Sequence, residues 1–269
     1  MLILDKLIAA TPASARDTLR RLKYQLMGRM SPSAYWNMAA RISAKAAICT
    51  DCVDEKSFFA SGQREGGLLR KKGLLGPEVH ALNIGCGIGR IERAICKEVA
   101  SVTGVDVSSR MVKMARRKVV APNVQFRVVD GRSLSDLESE HYDLCVSFIV
   151  LQHISRCATR SYIAEVARVL KPGGSFLFQL PLRTASRNSE PPANHPFGVR
   201  FYTREQVLQL TQMAGLRLLG YFDDQGNSPA SNKVSDLEKY EFYHAVRPED
   251  SAHSHRVEEA ASTTAVQTG

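Results

Sequence analysis

No apolar run in this chain of 269 residues approaches the ~18 residues that a membrane-crossing helix needs, so a spanning segment is not expected. A cleaved leader is not expected either. In "MLILDKLIAATPASA" Asp5 and Lys6 interrupt the apolar part and no basic stretch precedes it, which reads as a short amphipathic helix and a cytoplasmic chain. Internal repeats are absent, which argues against solenoids and blade arrays. No second CxxC accompanies Cys49 and Cys52 in "CTDC", so half a zinc or redox site has no other half and no metal is expected. The other cysteines are 86, 96, 145 and 157; Cys86 falls in a glycine turn and Cys145 in a strand, which suits reduced thiols better than bridges. Acids are scarce at the start. Residues 1–50 carry eight Lys or Arg against two Asp, which concentrates there much of a formal net charge of +9. Such an excess suits an anionic partner or mutual repulsion between copies.

What is present is a core of ordinary size, with 44% hydrophobic residues, organised around "VHALNIGCGIGRIERAI", Val79 to Ile95. Val79, Ala81, Leu82 and Ile84 form a short apolar run that stops at Gly85, and Ile88, Ile91 and Ile95 then recur at helical spacing. That pattern predicts a strand, a glycine turn and a helix. Gly85, Gly87 and Gly89 permit positive φ and remove the Cβ atoms that would hold a ligand off the backbone. The helix start points free N–H groups at the same space. A dinucleotide fingerprint would place its third glycine at 90, but Arg90 stands there and Gly89 lies one residue earlier.

From Val79 onward strands and helices alternate, which predicts a parallel sheet with helices on both faces. "SVTGVDVS" reads as a second strand ending at Asp106, with Ser108 as N-cap of the helix after it. "NVQFRVVDG" closes a third strand on Asp130 and Gly131, and "YDLCVSFIVLQHI" a fourth, with Ser147 toward its end. A helical stripe from Tyr162 to Leu170 stops at "KPGG" before "SFLFQL", the fifth strand. Thr203 caps a helix that stops at Gly215, and "LRLLGYFDD" and "KYEFYHAV" supply two last strands, expected antiparallel at an edge. Residues 1–78 read as a helical cap, 79–247 as the α/β domain, 181–201 as a long proline-rich loop of functional type, and 248–269 as a disordered tail. Tyr35, Trp36, Phe58 and Phe59 in the cap are read as packing residues, with a substrate face as the alternative.

In an open parallel sheet a ligand sits beyond the carboxyl ends of the strands where strand order reverses. The marked residues fall there. Asp106 follows Gly85 by 21 residues, close to the ~20 expected of an acid that accepts from ribose hydroxyls. "LNIGCGIGR", "VTGVDVSSRMVKMAR", "VQFRVVDG", "YDLCVSFIVLQHI" and "EVARVLKPGGSFLFQ" together resemble the class I methyltransferases that use S-adenosylmethionine (SAM), over about residues 79–246. The resemblance implies a Rossmann-like α/β fold with a mostly parallel seven-stranded sheet, and SAM as cofactor. It implies that Gly85, Gly87 and Gly89 line the methionine and ribose part, that Asp106 holds the ribose, that Val107 and Met111 lie against the adenine, and that Asp130 and Gly131 close its far side. Ser147 joins this set at the fourth strand end. Where the family usually carries an acid two residues before the first glycine, this chain has Asn83, which keeps an acceptor without the charge. Weaker SAM affinity is the expectation.

The implied reaction is in-line displacement at the sulfonium methyl carbon, for which the protein must position a nucleophile. A base is needed only for a protonated acceptor such as a hydroxyl. His153, just past the fourth strand, is the first candidate and His195, in the proline-rich loop, the second. The expected acceptor is a small molecule or a glycan- or lipid-like metabolite. A nucleic-acid methyltransferase, a non-catalytic scaffold, and a peripheral membrane contact through the basic start are the alternatives.

Overall fold

The computed structural model describes residues 11, 12, 15, 16, 18, 19, 22, 28–49, 52, 54–183, 198–228 and 241–249. The expectations for His195, most of the 181–201 loop, nearly all of the tail and most of the amphipathic start therefore lie outside the described residues.

Among the described residues two long helices precede the sheet. In α1 (Pro32–Ile48) Ser31 caps the first turn by accepting from Ala34 N, and proline takes a first-turn position where no N–H is required. The helix breaks at Ser43, whose backbone is extended (φ −164°, ψ 102°) and whose hydroxyl recaps the second half by accepting from Ala46 N at 3.3 Å. α2 (Glu55–Lys71) opens with a capping box in which Asp54 and Ser57 satisfy each other's backbone N–H groups. Both lie within residues 1–78, the stretch that the sequence leads one to expect as a helical cap.

The sheet runs β1 (His80–Ile84), β2 (Ser101–Asp106), β3 (Val124–Val128), β4 (Tyr142–Ser147), β5 (Leu170–Leu180), β6 (Arg217–Phe222) and β7 (Glu241–Val246), in spatial order 3-2-1-4-5-7-6. Between them stand α3 (Arg90–Ile95), α4 (Ser109–Lys118), α5 (Arg156–Val169) and α6 (Arg204–Met213). Ser108 and Thr203 are the N-caps of α4 and α6, as their positions in the sequence predict. β1 lies between β2 and β4, so the strand order reverses beside it and the crevice of the sheet opens at the end of the glycine strand.

The last two strands form an antiparallel pair at the edge, as expected, but not in chain order: β7 inserts between β5 and β6 and runs antiparallel to both. The reason is two-faced burial. Phe242 packs on Phe148 and Phe222 (centroids 5.4 and 6.1 Å), while Tyr243 on the other face stacks on Phe178 (5.4 Å). A strand with aromatic rings buried on both faces is stabilised inside a sheet, whereas β6, with exposed Arg217 and Leu219, tolerates the edge.

One expectation, about the thiols, needs correction. Cys86, Cys96, Cys145 and Cys157 are free, but Cys49 and Cys52 form a disulfide. α1 ends at Ile48, and Cys52 N donates back to Cys49 O at 3.4 Å, a turn that sets the two Cα atoms 5.4 Å apart, within bridging range.

Candidate active site

The turn after β1 is held from below. Gly85 N and Cys86 N both donate to Val105 O on β2, at 2.8 and 2.9 Å. All three glycines have positive φ, at 78°, 55° and 86°. Two of them also need the absence of a side chain toward the cavity. A Cβ on Gly85 would lie 2.1 Å from Val150 Cγ2, and one on Gly87 would lie 2.5 Å from Ile48 Cδ1 of the cap. At Gly89 the crowding comes from Val119 and Phe126, on the side of α4 and β3, so its role is close packing.

Asp106 ends β2 beside this turn. Its Oδ2 accepts from Gly87 N at 2.9 Å and its Oδ1 from Ser108 N at 2.8 Å. Each oxygen retains a second lone pair for a hydroxyl donor. Enclosure by protein pushes the Asp106 carboxyl up to about 6, with the N–H groups of Ser108, Gly87 and Val107 opposing that shift. Asp130 accepts from the backbone N–H groups of Arg132 and Ser133, which hold its carboxyl below the usual range.

These groups open on a cavity of about 1260 Å³, larger than the ~300–1,000 Å³ of ordinary ligand pockets. Gly85, Gly87, Asp106, Val107, Met111, Asp130, Gly131 and His153 all line it. Asn83, Gly89 and Ser147 do not. Asn83 points into the protein, where its Nδ2 donates to Glu92 Oε1 at 2.8 Å, and the Ser147 hydroxyl donates to Ile84 O at 3.3 Å. The opposite wall was less legible. Phe148, Ile149 and Val150 follow β4, and Ile149 has φ of 62°, a strained conformation for a β-branched residue and one that clusters at ligand sites. His153 is 8% exposed, its Nε2 lies 3.2 Å from Gln152 Nε2, and its ring meets Trp36 edge-on at 5.9 Å. The cap aromatics thus divide: Tyr35 and Phe58 are fully buried, Arg93 and Lys118 lie over the Phe59 ring, and Trp36 lines the cavity.

The cap is tied to the cofactor turn through Arg90. Its guanidinium donates to Ser61 Oγ at 2.9 Å and pairs with Glu65 Oε1 at 2.7 Å, both on α2. A Cβ on Gly62 would lie 2.3 Å from Arg90 O, so only glycine permits α2 to approach α3 this closely. The position that denies a dinucleotide fingerprint its third glycine is therefore the cap's anchor.

A glycine cradle without room for Cβ atoms, a strand-end carboxylate beside the cavity, and a reversal of strand order are the features expected of a nucleotide-cofactor site in an open parallel sheet. Residues 81–174 match the family described as a methyltransferase domain. Among curated relatives, the malonyl-[acyl-carrier protein] O-methyltransferase of Priestia megaterium is 37% identical over 103 residues, 38% of this chain and 36% of that protein. The ubiquinone biosynthesis O-methyltransferase of Paracidovorax citrulli is 30% identical over 112 residues, 40% of this chain and 44% of that protein. The matched stretch spans less than half the length of these relatives. A SAM-dependent methyltransferase from Clostridium acetobutylicum shares the fold with a TM-score of 0.58 at 17% identity, over 80% of this chain and 99% of that one. Among the described residues no helix is long and apolar enough to cross a membrane, and no group of three or more His, Cys, Asp or Glu is placed to hold a metal.

Proposed function

We propose that this protein moves the methyl group of SAM to an oxygen or nitrogen atom of a small-molecule, glycan- or lipid-like acceptor. The observation that carries this reading is one continuous cavity with two unlike ends: a glycine and aspartate cradle on the sheet side, and an apolar wall with His153 on the side of the cap and the post-β4 segment. The bound cofactor supplies a methyl carbon already activated by sulfonium. Gly85 and Gly87 would let it approach the backbone, and Asp106 would hold its ribose hydroxyls. Trp36, Phe148 and Val150 would exclude water and orient the acceptor in line with the methyl carbon. For a hydroxyl acceptor His153 receives the released proton. The malonyl-carrier and ubiquinone O-methyltransferases support a small acceptor with an oxygen nucleophile. The scaffold alternative leaned on Asn83, and the position of Asn83 outside the cavity removes that argument.

The test is transfer of label from methyl-tritiated SAM to a panel of phenols, carboxylic acids and amines. With a phenol, His153→Ala lowers kcat by about a hundredfold at neutral pH, leaves KM for the acceptor within a few fold, and regains activity as the pH approaches the acceptor's own pKa. Label that never leaves the cofactor with any acceptor class would sink the reading.

A further inference from the structure

Of the buried stripe Tyr162, Ile163, Val166, Val169 and Leu170, only Tyr162 carries a polar side-chain atom. It is also the member that lines the cavity, together with Asp106, Val107, Asp130 and Gly131. Tyr162 is 5% exposed, and among the described residues its hydroxyl has no hydrogen-bond partner. A hydroxyl taken out of water without a partner costs free energy. One that borders a cavity can be answered by a ligand.

The helix that carries it is fixed against the loop after β3. On α5, Ser161 Oγ donates to Arg132 O at 2.9 Å, Glu165 Oε2 accepts from Leu134 N at 2.9 Å, and Arg168 donates to Leu134 O at 2.8 Å. Tyr162 follows the first of these clamps directly, which holds it near the start of that loop at Asp130 and Gly131. Asp130 is fixed in turn, its Oδ1 accepting from Arg132 N at 2.7 Å and Ser133 N at 2.8 Å. Burial, and after it the charges of Asp130 and Asp106, push the Tyr162 hydroxyl above its usual range. It therefore keeps its proton at neutral pH and offers it as a donor.

This side of the cavity thus presents a carboxylate, which only accepts, near a hydroxyl that donates. Adenine presents the complement, an amino donor adjoining a ring-nitrogen acceptor. We propose that Tyr162 reads the base of the cofactor, its hydroxyl donating to a ring nitrogen of adenine while Asp130 accepts from the amino group. The proposal rests on the methyltransferase reading for the presence of SAM, and it gives a role in that site to a residue that helical periodicity places in the core.

The full chain is titrated by calorimetry with S-adenosylhomocysteine and with S-inosylhomocysteine, in which a carbonyl replaces the amino group. Three deaza analogues, each with one ring nitrogen of adenine replaced by C–H, complete the series. The inosyl compound is expected to bind at least about tenfold more weakly than the parent, because a carbonyl facing Asp130 replaces a donor with an acceptor. One deaza analogue binds the wild type about tenfold more weakly, the value of one hydrogen bond. Tyr162→Phe keeps the buried ring and removes only the hydroxyl. It weakens the parent and two of the analogues by that same factor and leaves the third analogue where it was, as a coupled pair requires. If the variant does not fold, as thermal melts would show, the wild-type series still decides. Parent affinity unchanged by Tyr162→Phe, an equal loss for all three analogues, or a wild type indifferent to the changes in the base overturns the proposal. In each of those outcomes S-adenosylhomocysteine still binds. A wild type that binds none of the compounds at millimolar concentration overturns the methyltransferase reading itself, and this proposal with it.

Discussion

Asn83 and Glu92 form a fully buried pair beneath the cofactor turn, the Asn83 Nδ2 donating to Glu92 Oε1 at 2.8 Å. Where the resembled family carries an acid on the strand at position 83, this chain carries it one turn into the following helix. Glu92 Oε1 fills the space that the missing Cβ of Gly104 leaves, at 2.5 Å from where that atom would lie. Asn83 Oδ1 and Glu92 Oε2 have no hydrogen-bond partner. Two neighbouring orphan acceptors favour the protonated acid, which turns one of them into a donor, and burial accordingly raises the Glu92 carboxyl to about 7.

That shift sets a pH dependence. A carboxyl whose folded pKa lies above its unfolded value binds more protons when folded, so its contribution falls as pH rises from 4.5 to about 7 and is level above that. Glu92→Gln keeps the acceptor for Asn83 and abolishes the titration. Urea unfolding of the two proteins across this window should show the wild type losing about 2–3 kcal/mol relative to the variant. Asn83→Asp alone faces two buried carboxyls and destabilises; adding Glu92→Gln, which returns the acid to the strand, restores most of the loss. A pH profile unchanged by Glu92→Gln contradicts this account.

Gly85 tests the cradle. Alanine there meets Val150 at 2.1 Å and inherits a φ of 78°, which together cost about 3 kcal/mol or more. Val150→Ala removes the two Cγ contacts, leaving the residue 150 Cβ at 3.0 Å, and does not relieve the backbone strain. The double variant should therefore recover part of the urea midpoint and remain below the wild type. Full recovery would show that φ at this position carries no cost.

Asn37 joins the cap to the cofactor side. Its Oδ1 accepts from Ser108 Oγ at 2.8 Å and from Arg110 N at 2.9 Å, at the start of α4. Asn37→Ala should lower stability by about 1 kcal/mol and weaken SAM binding a few fold, while Asn37→Asp, which keeps the acceptor and adds favourable charge at a helix N-terminus, should match the wild type. Thermal melts beside SAM titrations check both.

Much of this architecture is legible in the residues alone. The change of period at Gly85 marks the end of β1, and polar caps such as Ser108 and Thr203 mark helix starts, because those signals are local. The strand-end positions of Asp106 and Asp130 follow from the same reading. What was not legible depends on tertiary contact. Nothing near Phe242 in the sequence tells that β7 enters the sheet interior, since the rings that bury it come from the segment after β4 and from β5 and β6. Arg156 and Arg200 reach one wall from segments 44 positions apart, and Trp36 carries the same aromatic signal as the buried Tyr35 beside it. The Cys49–Cys52 bridge is not legible in the sequence because its geometry arises from the turn that ends α1 rather than from a spacing partner elsewhere. Asn83 stands out in the sequence, but its role depends on Glu92.

The central claim is that this turn and Asp106 hold SAM, and calorimetric titration of the wild type beside Asp106→Ala tests it most directly. Two hydroxyl contacts to a carboxylate predict one site in the wild type and affinity about a hundredfold weaker in the variant. Because hydroxyl donors favour the ionised carboxyl, wild-type affinity should also fall as pH drops through about 6. A wild type that binds no SAM at millimolar concentration, or a variant that binds as tightly as the wild type, contradicts the account.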